Sequence, residues 1–190
     1  TNVMIKRYFY GDSIEGFLST PESQIIGELT TAHTSLHSSL QGMQADAWRE
    51  EIELLKNILP LYIARGHIYF EYSIPRMGRR IDVVLLINGI VLLLEFKAFN
   101  EQYTCADIAQ VWDYALDLKN FHEESHERSI VPILVATEAL SEVSTFVPYN
   151  DKVFYPVLTN RSALASAIAE ALTFCNTQDT AKDTLWAISR

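Results

Sequence analysis

The segment Arg80-Ile-Asp-Val-Val-Leu-Leu-Ile-Asn-Gly-Ile-Val-Leu-Leu-Leu-Glu-Phe-Lys97 reads as two apolar strands joined by Asn88-Gly89. That dipeptide is the strongest short hairpin signal, because both residues tolerate the positive φ of a type I′ turn. A two-residue turn sets Ile87 against Ile90, so facing partners have residue numbers summing to 177. Asp82 then falls opposite Glu95, and Arg80 opposite Lys97. Facing residues of an antiparallel pair point to the same side, and period-two alternation adds Lys97 to the side of Glu95. The expectation is one cluster of Asp82, Glu95, Lys97 and Arg80 at the open end of the hairpin. Val83–Leu86 and Val91–Leu94 are apolar on both faces, which calls for a sheet covered on both sides. Two facing carboxylates at the end of such a hairpin repel each other unless a positive charge lies between them. A divalent cation meets that need; so, more simply, would cross-strand ion pairs from Arg80 and Lys97.

Outward from the hairpin, His67–Ile74 reads as a strand stopped by Pro75, with Arg76-Met77-Gly78 as a turn. Upstream, Ala45 to about Ala64 is an amphipathic helix with Trp48, Ile52, Leu55 and Leu59 on one face, kinked or ended by Pro60. Residues 1–44 form a loosely patterned helical and loop leader packed on a domain spanning 45–190. Downstream come a helix over Ala106–Phe121, a buried strand over Ile130–Thr137, a strand over Val153–Leu158 and an alanine-rich helix over Ser162–Phe174. Helices alternating with strands in this order predict an α/β sandwich around a central mixed sheet flanked by helices.

The 24 Asp and Glu against 15 Lys and Arg give a net charge of −9, which argues against a protein that coats nucleic acid through a general basic excess. An enzyme that meets phosphate through a metal and a local basic cluster is compatible with it, and Arg76, Arg79 and Arg80 supply such a cluster. The apolar runs are too short for a membrane span, which takes roughly 20 residues. The opening residues lack the apolar core of a signal peptide. Cys105 and Cys175 have neither metal-ligand spacing nor a disulfide framework, so a reducing cytoplasmic setting is expected.

Arg80-Ile81-Asp82, followed after an interval by Glu95-Phe96-Lys97, resembles the PD-(D/E)XK nuclease superfamily, with Ile81 in the place of the proline. Gln110-Val-Trp-Asp-Tyr114 on the next helix looks like the Gln-x-x-x-Tyr element of its recombination-nuclease branch, and residues four apart share a helix face. From Trp48 to Thr137 the chain resembles the N-terminal nuclease-like domain of bacterial Schlafen-like helicases. That likeness is carried by Glu71-Tyr-Ser-Ile-Pro-Arg76, Arg79-Arg-Ile-Asp82, Leu94-Glu-Phe-Lys97, Val111-Trp-Asp-Tyr-Ala-Leu-Asp-Leu-Lys119 and Val131-Pro-Ile-Leu-Val-Ala-Thr137.

The resemblance implies a restriction-endonuclease-like fold and a Mg²⁺- or Mn²⁺-dependent nuclease acting on DNA. Asp82, Glu95 and the carbonyl of Phe96 would be metal ligands, and Lys97 would orient water and offset developing charge. An acid on the preceding helix completes such sites; Glu51, three residues after Trp48, is the choice over the outward-pointing Glu50 and over Glu28. Gln110 and Tyr114 would position substrate or water, and Arg76, Arg79 and Arg80 would contact phosphates without reading bases. In the resembling proteins the domain precedes an ATPase motor and some are linked to phage defence. No Gly-x-x-x-x-Gly-Lys-Ser/Thr loop occurs in this sequence, so a motor would be fused or separate. The competing reading is an inactive nuclease-fold module that binds nucleic acid or a partner protein. A third is an unrelated α/β enzyme using the same acids.

His122-Glu-Glu-Ser-His126 matches the His-Glu-x-x-His zinc-protease pattern. It sits where a helix is expected to end and lacks a third ligand nearby, so a solvated helix end is the better reading. His33 and His37 lie in a Thr/Ser-rich setting without acidic partners and read as a polar helix face or loop. No chemistry is attached to Cys105, Trp112 or Trp186.

Overall fold

The computed structural model describes residues 6–36, 42–143, 145–175 and 186–187. In chain order these form β1 (Tyr10–Ser13), α1 (Ile14–Ser19), α2 (Glu22–Leu36), α3 (Gly42–Ile58), β2 (Gly66–Ser73), β3 (Arg80–Ile87) and β4 (Ile90–Lys97). They continue with α4 (Cys105–Phe121), β5 (Ile130–Ala136), β6 (Val157–Thr159) and α5 (Leu164–Cys175). The six strands make one sheet in the order β1-β2-β3-β4-β5-β6, antiparallel through β4 and parallel from β4 to β6. This is an α/β architecture with a mixed sheet, as the order of elements predicts. α4 is the crossover between the parallel strands β4 and β5, the connection parallel pairing requires.

The hairpin folds in the expected register. Asn88 and Gly89 take φ of 51° and 78°, and the ladder runs from Ile87↔Ile90 to Val83↔Leu94. Val83, Leu85, Leu92 and Leu94 pack with Trp48, Ile52 and Leu55 of α3, with residues of α1 and α2, and with Leu164 and Ile168 of α5. Val84, Leu86, Val91 and Leu93 pack on the other face with Tyr114, Ala115 and Leu118 of α4 and with Trp186. The hairpin is thus the middle layer of three. Each large apolar side chain buried this way contributes about 1.5–3 kcal/mol.

α3 stops at Ile58, and Leu59–Tyr62 forms a 3-10 turn with Pro60 in its first positions. Proline lacks the N–H and clashes with the preceding turn, which explains the end. The 1–44 leader holds a strand that its helical spacing hides. β1 is an edge strand paired along β2, and Phe9, Tyr10, Ile14, Phe17, Ile25 and Leu29 are buried in the same cluster as Trp48. The strand expected over Val153–Leu158 is a correction of register. Val153 and Phe154 make isolated bridges to Ile130 and Pro148, and the strand proper is Val157–Thr159. Among the described residues no helix is long and apolar enough to cross a membrane.

Gly66 shows how tightly the sheet is assembled. It pairs with Ile87 at the start of β2, and a Cβ there would run into the backbone carbonyl of Leu86. Backbone cannot step aside as a side chain can, so Gly66→Ala is expected to destabilise the fold by about 2–3 kcal/mol. Chemical denaturation of the variant measures this; an unchanged midpoint would contradict the packing described.

Candidate active site

The β3–β4 ladder ends one rung before the acids. Beyond Val83↔Leu94, side chains take over the pairing. The Asp82 N–H donates to Glu95 Oε1 at 3.0 Å, and the Phe96 N–H donates to Asp82 Oδ2 at 2.9 Å. The two carboxylates are thereby interlocked across the fork where the strands part. Each keeps its second oxygen outside this pair of bonds. Lys97 Nζ lies 3.9 Å from Glu95 Oε2, so the three residues meet as the hairpin register requires.

α4 supplies the next shell. Thr104 caps it by accepting from the Asp107 N–H at 3.1 Å, which fixes the first turn over the end of β4. Lys97 Nζ donates to Gln110 Oε1 at 3.2 Å and lies 3.4 Å from Asp107 Oδ1. Gln110 Nε2 in turn donates to the Tyr114 hydroxyl at 3.0 Å. Gln110 and Tyr114 therefore form a relay that holds the lysine. Asp107 is a further partner, on the first turn of α4, that no motif marks. Burial, with Glu95 and Asp82 next, pushes the Tyr114 hydroxyl up to about 12, so it stays a donor throughout the neutral range.

A fourth acid enters from β2. β2 pairs with β3 at Phe70↔Val83 and Tyr72↔Ile81, but the rung between them, Glu71 and Asp82, is missing. Glu71 has φ of 55°, a left-handed value uncommon outside glycine and asparagine. Both strands lose alternation there. Tyr69 and Tyr72 share one face, as do Ile81 and Val84, although strict period two would separate each pair. The irregularity turns Glu71 toward α3, where Trp48 Nε1 donates to its Oε1 at 3.2 Å. A lone acid in the apolar run Ile68-Tyr-Phe-Glu71-Tyr was the available signal.

Glu51 reaches the same place from α3. It is 3% exposed, and its Oε2 is buried without a hydrogen-bond partner. Burial first, then the charges of Asp82, Glu71 and Glu95, hold its carboxyl well above the usual range. Glu95 is raised well above its ordinary value by burial and then by Asp82. Burial followed by Asp82 brings Glu71 to about 7. Burial brings Asp82 to about 6 against the Phe96 N–H and Lys97, which pull it down. Four buried carboxylates, three of them raised further by their acidic neighbours, share one ammonium, so negative charge here is poorly compensated. Glu50, read as outward, instead turns to an ion pair with Arg161, and Glu28 is exposed on α2.

The donor set suits a hard divalent cation: carboxylate oxygens, an orphaned buried one among them, and no sulfur. Among the described residues no three Asp, Glu, His or Cys side chains form a ready-made metal cage. Mg²⁺ does not require one, because it takes one or two carboxylates and completes its shell with water and phosphate.

The arginines divide. Arg80 does not stand beside Lys97 as simple alternation predicts. The irregularity at Asp82 carries it away: Nη1 donates to the Glu71 carbonyl at 2.8 Å, and the guanidinium sits 4.1 Å over the Phe9 ring. It buttresses the bend in β2. Arg76, at φ 68°, and Arg79 are exposed on the β2–β3 connection. Arg79 is close enough to α4 for its charge to offset part of the upward shift that burial imposes on Tyr114 and Asp117.

The His-Glu-x-x-His match dissolves. α4 ends at Phe121, and His122 is fully buried. It is held by the Tyr72 hydroxyl at 3.0 Å and the Ser125 hydroxyl at 2.7 Å. Burial lowers it to about 3, so it is a neutral core histidine. Trp186 completes that cluster, its Nε1 donating to Ser125 Oγ at 2.8 Å. His33 lies half-buried on α2, in keeping with a helix position, with its ring edge-on to Phe9 and Trp48; His37 lies outside the described residues. Comparison of the chain with protein-family models, with curated proteins and with solved structures returns no match.

Proposed function

We propose that this chain is a metal-dependent nuclease domain of the PD-(D/E)XK kind, hydrolysing phosphodiester bonds in nucleic acid, with DNA as the substrate. The observation that carries the reading is the interlocked Asp82–Glu95 pair, with Lys97 3.9 Å from Glu95 and the unpartnered Oε2 of Glu51 buried among the acids. A purely structural cluster would discharge its acids on nearby cations, yet Arg80 hydrogen-bonds a carbonyl and covers a ring, and its charge only partly offsets the rise of Glu71.

Asp82, Glu95, Glu51 and the Phe96 carbonyl would hold Mg²⁺ or Mn²⁺. Bound there, the cation supplies Lewis-acid polarisation of the phosphate and a more acidic attacking water. Lys97 orients that water and offsets charge developing on the phosphate. Gln110, itself held by Tyr114, fixes the ammonium beside Glu95. Arg76 and Arg79 meet the flanking phosphates, giving backbone recognition without a base code. A fused or separate ATPase motor, and a place in phage defence or DNA processing, belong to this reading through the resemblance alone.

The second reading is a binding module of the same fold that docks nucleic acid or a partner protein without cutting. The pairing of Lys97 with Asp107 favours it, and the net charge of −9 favours its partner-protein form.

Labelled single- and double-stranded DNA and RNA, incubated with Mg²⁺, Mn²⁺ or EDTA, separate the two. The expected result is a product in either metal, none in EDTA, and none with Lys97→Ala. Equal cleavage by wild type and Lys97→Ala would remove the assignment. Binding without cleavage in every metal would select the module.

A further inference from the structure

Beside Lys97 the surface opens into a pocket of about 420 Å³ between the first turns of α3 and residues 96–100. Met43 and Asp46 line one wall; Lys97, Phe99 and Asn100 line the other. The volume lies in the range of small-ligand sites. Both walls carry apolar side chains that folding has left uncovered: Phe99 is 57% exposed and Met43 82%.

Phe99 is held in place by more than its neighbours. Its φ is 66°, a left-handed conformation that glycine or asparagine adopts readily and a bulky aromatic residue does not. The surrounding backbone enforces it. The Phe99 N–H donates to the buried Thr137 hydroxyl at 2.7 Å. The N–H groups of Asn100 and Thr137 both donate to the Lys97 carbonyl, and that of Glu138 to the Asn100 carbonyl. A strained backbone that projects an apolar ring into solvent costs stability twice, and such outliers collect at ligand sites. The backbone that carries the ring is thus tied to the carbonyl of Lys97, next to the acids.

We propose that this pocket is a stacking subsite for one unpaired nucleobase next to the scissile phosphate, with Phe99 as the platform and Met43 as the opposing wall. The proposal rests on the nuclease reading above and narrows its substrate to single-stranded or frayed DNA. Every base has a π-face, so an aromatic platform with a flexible thioether facing it accepts a base without reading it. A base stacked inside a duplex offers no free face and cannot enter. Lys97 belongs to the pocket wall as well as to the acid cluster, so a base seated there has its own phosphate at the acids.

The test uses the full chain with a DNA oligonucleotide carrying a single 2-aminopurine, unpaired or in a blunt duplex, titrated in Ca²⁺, together with initial cleavage rates in Mg²⁺. Binding of the unpaired probe should quench the 2-aminopurine, and the duplex probe should not. Phe99→Gly suits the φ of 66° and keeps the fold, so an unchanged or higher melting temperature is expected with it. It should lose the quench, weaken the unpaired probe about tenfold and erase the preference over duplex. Phe99→Trp should restore all three, and Leu140→Ser, at a fully exposed apolar residue outside the pocket, should change none. If Phe99→Gly quenches, binds and discriminates like wild type while cleavage persists, the subsite is wrong and the nuclease reading stands. If wild type neither binds nor cuts any probe, both fall together.

Discussion

Glu51→Gln is expected to make the metal-free protein more stable at pH 8 while removing its metal-dependent cleavage. The carboxyl is buried, one oxygen lacks a partner, and three further acids crowd it. A neutral amide of the same shape removes the repulsion and brings two N–H donors toward the neighbouring carboxylates. Relieving strained functional sites commonly yields about 0.5–2 kcal/mol. At roughly 2–4 °C per kcal/mol for a chain of this size, the melting temperature should rise by several degrees. The same change subtracts one charge from the proposed metal site, and a loss of cleavage on the order of 10²-fold is expected, the scale of losing one preorganised electrostatic contact. Calorimetry in EDTA and cleavage in Mn²⁺ measure the two halves. A variant less stable than wild type would make Glu51 a structural acid; one that cuts normally would remove it from the site.

How much of this was legible depends on how local each cause is. Asn88-Gly89 sets its own register, so the approach of Asp82, Glu95 and Lys97 follows from the stretch Asp82–Lys97 read alone. The inward turn of Glu51 follows from the helical spacing of Trp48, Ile52 and Leu55. Gln110 and Tyr114 follow from a spacing of four. Arg80 and Glu71 were out of reach because their positions come from one irregularity shared by two strands. Glu71 bends at φ 55° and the pairing at Asp82 is skipped. A register extrapolated from the hairpin turn assumes unbroken alternation, so it carries Arg80 to the wrong side. β1 escaped for a different reason. Gly11-Asp12-Ser13 has little strand propensity, and its pairing is supplied by β2, more than fifty residues away. Each miss involves distant partners, and two of the three fall at the acids, where rules of local consistency are expected to fail.

The stability of the metal-free protein is expected to fall as pH rises from 5 to 8, and bound Mg²⁺ or Mn²⁺ to reverse the trend. Asp82 at about 6 and Glu71 at about 7 keep their protons in the folded protein after the unfolded chain has released them. Glu51 and Glu95 are raised in the same direction. The folded state therefore binds more protons than the unfolded one above the ordinary carboxylate range near pH 4. Stability then declines with pH until the folded-state groups have ionised, the reverse of the usual salt-bridged acid. A cation that binds only the folded, ionised site adds about 2.7 kcal/mol at a hundred times its dissociation constant. For a chain of this size that is about 5–10 °C of melting temperature. Binding must displace protons at low pH, so the shift should be large at pH 8 and small at pH 5. Thermal scans in EDTA and in saturating Mn²⁺ at the two pH values give all four numbers. Equal metal shifts at both pH values would mean that the cation binds elsewhere. A metal-free stability that rises from pH 5 to 8 would mean that Lys97 and the backbone N–H donors already satisfy the acids, leaving them no need for a cation.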